Sequence, residues 1–259
     1  MNNNDIILKA DNLYFSYDDE KTHSLNGLSL EIPRGQKIAF MGANGSGKST
    51  FFLCCTGIHK PSSGTLYYNG EPYSYDRKGL LKLRSKIGIV FQDPDNQLFS
   101  ASVYQEISFG VLNLGYSEED AKKAVEDVIA ELEITSFRHK PTHALSGGQK
   151  KQVSIADILV MKPDIIILDE PTASLDAVAE YEIYAGFEKL VENKTAIIIS
   201  HRLSSTHFCD RIIVINNGTV FEDGTHQSLM AKESGIYKKM FTTQAAHYFS
   251  DPTTVAVVD

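Results

Sequence analysis

"GANGSGKST", residues 42–50, decides how the whole chain is read. Gly42, Gly47, Lys48 and Ser49 fall at the spacing G-x-x-x-x-G-K-[ST]. The run "QKIAF" before the stretch predicts a strand, and "STFFLCCTGI" within and after it predicts a short apolar helix. A strand, a glycine loop and a helix in that order form the setting in which this motif holds phosphate. Glycines let the backbone curl until successive N–H groups face one centre. The helix start adds the positive end of its dipole. Gly42, Ala43, Asn44, Gly45, Ser46, Gly47, Lys48, Ser49 and Thr50 are therefore expected to cradle a nucleoside triphosphate. Lys48 would reach the β- and γ-phosphates, and the Ser49 hydroxyl would bind Mg²⁺.

A triphosphate needs acids, a water-activating group and other partners nearby, and five other stretches supply candidates. "IIILDE", residues 165–170, is an apolar strand ending in two carboxylates. Side chains alternate along a strand, so Asp169 and Glu170 point different ways. Asp169 is assigned to Mg²⁺ and Glu170 to the general base that activates water. Gln92 follows the strand pattern "KIGIVF". Its neutral amide could complete the Mg²⁺ shell or hold the attacking water. His201 closes the strand pattern "AIIIS", at the kind of strand end where open α/β sheets bind ligands, and could contact the γ-phosphate. Tyr14, Phe15 and Tyr17 form an early aromatic cluster; an adenine could stack on Phe15 or Tyr17, or the rings could pack into a sheet. "LSGGQ", residues 145–149, sets Ser146, Gly147, Gly148 and Gln149 before a further helix, offering N–H groups and a hydroxyl to an anion. The chain's own loop already cradles one triphosphate, so a second anion clamp is best explained by closing a partner's site. Lys150 and Lys151 read as a solvated helix face.

The chain has 259 residues, 42% hydrophobic and 22% charged, within the range of one large globular domain. Its net charge of -8 argues against broad nucleic-acid binding. Cys54, Cys55 and Cys209 lack metal or disulfide spacing and read as reduced thiols. "MNNNDIILKADN" has no signal-peptide pattern, and the apolar runs are far shorter than the roughly 20 residues of a spanning helix. Residues 6–40 read as strands and residues 104–140 as helical, with Ser117 and Asp120 as a capping pair. Residues 149–161 predict another helix, stopped before Pro163. Strand and helix patterns then alternate to the C-terminal part, which predicts a parallel sheet with helices on both faces.

Residues 42–50, Gln92, "LSGGQ", "IIILDEP" and His201 occur in the order found in the ATP-binding subunits of ABC transporters, and "SLD" at 174–176 is similar to their D-loop. The chain resembles that family over roughly residues 6–245. The resemblance implies an α/β P-loop NTPase fold of the ABC ATPase type. It has a parallel-sheet core, an antiparallel β-subdomain and a helical subdomain at about 95–160. It implies one ABC ATPase domain over 1–245 and a flexible tail at 246–259. It implies ATP with Mg²⁺, Tyr17 stacked on adenine, and two such subunits dimerised head to tail, with Ser146–Gln149 of one facing the nucleotide of the other. Transmembrane coupling and substrate-binding subunits, at the cytoplasmic face of the cell membrane, would be the further partners. "VFQDPDNQLFSASV" and "FGVLNLG" resemble the ATPases of cobalt-type energy-coupling-factor importers. "SHRLS" and "GTH" resemble ABC exporter ATPases, which implies the alternative, the ATPase component of an ABC exporter for a peptide, lipid or drug. Gln152 stands where the family often has Arg, and Asp157 where it often has a small or basic residue.

Overall fold

The computed structural model describes residues 6–17, 22–171, 191, 194–200, 206 and 208–250, the side chains of 245–250 excepted. His201 and residues 174–176 lie outside the described residues.

The apolar runs singled out in the sequence become the centre of a six-stranded sheet, ordered β10-β9-β3-β8-β7-β6. Its strands are β3 (Lys37–Met41), β6 (Ile87–Val90), β7 (Ile165–Asp169), β8 (Thr195–Ile199), β9 (Arg211–Asn216) and β10 (Thr219–Gly224). All pairings are parallel except β9 with β10. Strands buried on both faces read as unbroken apolar runs. Their alternation then divides the core in two. Ile165, Ile167, Ile197 and Ile199 face one cluster with Phe40, Phe51 and Phe52. Ile166, Leu168 and Ile198 face the other, with Val103, Ile107, Val125 and Val153.

The first cluster is filled by α1 (Lys48–Cys55) and by a second, antiparallel sheet ordered β2-β1-β4-β5. Its strands are β1 (Ile6–Phe15), β2 (Leu25–Pro33), β4 (Ser63–Tyr68) and β5 (Glu71–Pro72), and α2 (Arg77–Arg84) follows them. The second cluster is covered by α3 (Val103–Asn113), α4 (Glu118–Glu131) and α5 (Gly147–Leu159). The stretch 104–140 is thus two helices followed by a 3₁₀ turn at Thr135–Phe137. Gly115 breaks it at φ +83°, a left-handed position suited to glycine, and Ser117 caps the next helix by accepting from Asp120 N at 3.1 Å. The last helices are α6 (His226–Met230) and α7 (Ile236–Ser250), so helix continues past residue 245. Cys54 and Cys55 are buried free thiols.

Candidate functional site

Three loops of interest leave the C-terminal ends of parallel strands. Residues 42–47 follow β3, Gln92 follows β6, and Glu170 follows β7. They converge on one cleft of about 430 Å³ lined by Tyr17, Asn44, Gly45, Ser46, Gly47, Lys48, Ser49, Thr50, Gln92 and Glu170. Ser24, which sequence reasoning did not single out, lines it too.

Two glycines of the loop are dictated by their surroundings. Gly42 sits at φ +144°, and a Cβ there would lie 2.2 Å from the Ile215 carbonyl oxygen. Gly47 sits at φ +105°, and a Cβ would lie 2.4 Å from the Ser24 carbonyl oxygen. The β9–β10 hairpin grips the loop from outside. Gly218 N donates to Ser46 O at 2.9 Å, and Asn26 N donates to Gly218 O at 3.0 Å. Inside the curl, Lys48 Nζ donates to Gly42 O at 2.7 Å and to Ala43 O at 3.0 Å. Burial pulls the Lys48 pKa below its ordinary value, while the charges of Glu170 and Asp169 act to raise it. Asp169 is therefore within electrostatic reach of the same ammonium. Ser46 Oγ is buried with no hydrogen-bond partner among the described residues, which suits an oxygen that meets phosphate.

Glu170 has φ +43°, a left-handed backbone that a non-glycine residue adopts at a cost of order 1–3 kcal/mol. Its N–H still donates to Ile199 O at 2.9 Å, so the end of β8 holds the turn. The Ser49 hydroxyl and the Gln92 amide line the cleft, and Asp169, which does not line it, ends β7 within electrostatic reach of Lys48; these hard oxygen donors fit Mg²⁺. Tyr17 is half exposed, and its hydroxyl lies 3.2 Å from Thr50 Oγ1. Its ring meets Phe15 edge-on at 5.0 Å and His59 edge-on at 5.3 Å, and His59 stacks on Phe15 at 4.8 Å. Tyr17 rather than Phe15 borders the cleft.

Ser146–Gln149 do not line this cleft. Ser146 caps α5 in a full capping box: Ser146 Oγ accepts from Gln149 N at 3.3 Å, and Gln149 Oε1 accepts from Ser146 N at 3.1 Å. A Cβ on Gly147 or Gly148 would meet nothing within 4 Å. The chain itself therefore has no steric need for glycine at either position.

The structure corrects the reading of the two lysines that follow. Lys151 is only 4% exposed. Its Nζ donates to Phe91 O at 2.8 Å and to Gln92 O at 3.1 Å, so it grips the turn that carries Gln92. Burial pulls its pKa down to about 8, opposed by the charges of Asp169 and Asp93. Carrying that charge at pH 7 costs the fold roughly 3 kcal/mol. Lys150 Nζ bonds Asp95 Oδ1 at 2.6 Å on the same turn. A Lys-Lys pair in a polar helix turn looks solvated in sequence; only the packing of α5 against the turn reveals the burial.

Gln97 completes this junction, and sequence reasoning missed it. It accepts from Phe91 N at 3.3 Å and donates to Ser154 O at 2.9 Å and Asp157 Oδ2 at 3.2 Å. Asp157, the residue unusual for its place, has its carboxyl pushed up to about 7 by burial; Gln97 acts to lower it and Glu106 to raise it further. The folded carboxyl holds its proton more tightly than the unfolded chain does, so this group's contribution to stability declines as pH rises from about 4 to 7. Asp157→Asn is expected to raise thermal stability at pH 8, by up to about 4 kcal/mol, and to change it little at pH 4. Melting curves at the two pH values check this, and equal shifts would count against it.

A glycine cradle behind a central parallel strand, with acids and an amide at adjacent strand ends, defines a P-loop nucleoside triphosphatase. The chain belongs to the ABC transporter family, whose pattern matches residues 25–173. It is 45% identical over 240 residues to the energy-coupling factor transporter ATP-binding protein EcfA2 of Clostridium perfringens, covering 90% of this chain and 83% of the relative. Its fold is similar to cbiO1 from Clostridium perfringens, described as part of the ABC transporter complex cbiONQ. The TM-score is 0.81 at 42% identity, over 95% of this chain and 100% of the other. It is also similar to the dimeric ATP-binding cassette MJ0796 in a post-hydrolysis state bound to ADP and Pi, with TM-score 0.76 and 29% identity over 85% and 98% of the two chains. The protein is the ATP-binding, ATP-hydrolysing subunit of an ABC transporter.

Proposed function

We propose that this ATPase drives an energy-coupling-factor importer, carrying a transition-metal ion such as cobalt through separate membrane subunits. The observation that carries the reading is a patch beside the Gln92 turn. Phe99 is 66% exposed and meets Phe109 edge-on at 4.8 Å, and Leu112 and Tyr116 are exposed nearby in sequence on and after α3. Contiguous exposed apolar surface marks a docking site. It lies in the stretch whose sequence resembles the cobalt-type importer ATPases. Among the described residues no helix is long and apolar enough to cross a membrane, so the protein would sit peripherally on the cytoplasmic face against its membrane partners.

Within the cleft, Tyr17 stacks on adenine and the N–H groups of 42–50 take the phosphates. Lys48 leaves the Gly42 and Ala43 carbonyls for the β- and γ-phosphate oxygens. Ser49, Gln92 and Asp169 hold Mg²⁺, which supplies neutralisation of phosphate charge when bound. Glu170 accepts the proton of water as its oxygen attacks the γ-phosphorus and the bond to the β,γ-bridging oxygen breaks. His201 contacts the γ-phosphate. A second subunit packs head to tail, and its Ser146–Gln149 close over the γ-phosphate, which would explain two glycines that the isolated chain does not need. The dimeric MJ0796 cassette supports this arrangement.

Affinity capture from membranes tests the proposal. Co-isolation of a coupling protein and a small substrate-binding membrane protein is expected, with cobalt uptake dependent on the chain. Capture of a six-helix exporter subunit instead would favour the reading suggested by "SHRLS".

A further inference from the structure

We infer that Lys151 is a positioning residue that locks the Gln92 turn to α5, so that the nucleotide in a subunit's own cleft sets the half-site it offers its partner. The inference rests on the roles proposed above for Gln92 and Ser146–Gln149.

Gln92 faces two ways. Its side chain lines the nucleotide cleft, while its carbonyl oxygen accepts from Lys151. Lys151 stands one helical turn after Gly147, the first residue of α5. A single ammonium therefore joins the peptide unit of a cleft residue to the helix whose start would meet the partner's nucleotide. The bonds go to main-chain oxygens of two consecutive residues, so they fix the path of the turn itself. Two other links run beside it. Lys150 pairs with Asp95, whose side chain is 67% exposed, and an exposed pair contributes little. Gln97 adds neutral hydrogen bonds. Lys151 is the buried, charge-assisted member, and such bonds are roughly twice as strong as neutral ones. Its ammonium is buried at the junction. A residue that stabilised only α5 would be better served by an apolar side chain at this depth. Coupling between sites requires a physical element that both bias, and this junction is one.

The test uses Lys151→Met and Lys151→Arg in the full chain, each alone and with Glu170→Gln. Lys151→Met is expected to keep the ATP dissociation constant of the dilute monomer within about twofold. Its kcat should fall about 10- to 100-fold, the scale of a lost charge-assisted bond. With Glu170→Gln, it should need at least about tenfold more ATP to form the dimer. Lys151→Arg, which keeps a buried cationic donor, should recover kcat to within about threefold, which a side chain serving only to fill space would not require. If Lys151→Met does not fold, Lys151→Arg decides alone, and a folded but inactive Arg variant overturns the inference. A folded Met variant with kcat within twofold of the wild type, closing at the same ATP concentration, also overturns it. Failure of the underlying dimer reading looks different: Glu170→Gln alone would not dimerise at any ATP concentration.

Discussion

Glu170→Gln is expected to lower ATP hydrolysis by about 10²- to 10⁴-fold while leaving ATP affinity nearly unchanged. Gln keeps the length and shape of Glu but cannot take a proton from water. It can keep the left-handed backbone held by the end of β8, where Glu170 N donates to Ile199 O. The substitution removes charge beside Lys48, whose pKa burial already lowers and Glu170 acts to raise. The ammonium would thus be slightly easier to deprotonate, an effect too small to release ATP near neutral pH. With bond cleavage stopped, ATP should accumulate in the closed dimer. Phosphate release and size-exclusion chromatography with ATP measure the two outcomes, and wild-type turnover in the variant would defeat the assignment of the base.

Lys48→Ala is expected to abolish most hydrolysis by a different route. The ammonium sits inside the loop, bonded to Gly42 O and Ala43 O. Without it, the β- and γ-phosphates would lose a cationic partner, and kcat/KM should fall about 10³-fold or more, the scale of a lost transition-state charge contact. Stability without nucleotide should change little, because two lost hydrogen bonds are offset by relief of the ammonium's desolvation. Nucleotide-linked stability should change greatly. At an ATP concentration 100 times the dissociation constant, binding adds about 2.7 kcal/mol to a wild-type fold. Loss of that ATP-dependent rise in melting temperature, with the nucleotide-free value retained, is the diagnostic result.

The cleft was legible in sequence because its parts are local. A cradle loop needs consecutive residues, and a buried parallel strand writes itself as an apolar run such as "IIIL" before Asp169 and Glu170. The break between α3 and α4 was half legible, in the Ser117 cap, while Gly115 was not read as a break. The junction beneath the cleft was not legible. Lys151, Gln97 and Asp157 are polar residues in polar surroundings along the chain, and they become buried or half-buried only when α5 packs against a turn about 60 residues earlier. Ser24 was missed for a similar reason, since its carbonyl lies where a Cβ on Gly47 would be, a contact between segments distant in sequence.

The grip of the β9–β10 hairpin and the residues before β2 on the phosphate loop bears on how far the motif can be transplanted. Gly42 and Gly47 press against carbonyls of Ile215 and Ser24, and Gly218 is bonded to Ser46. A peptide spanning 37–55, or the same residues grafted onto another strand–helix unit, would carry every letter of the motif without the walls that shape it. Such a graft should bind triphosphate weakly until residues equivalent to 24–26 and 215–218 are carried across with it.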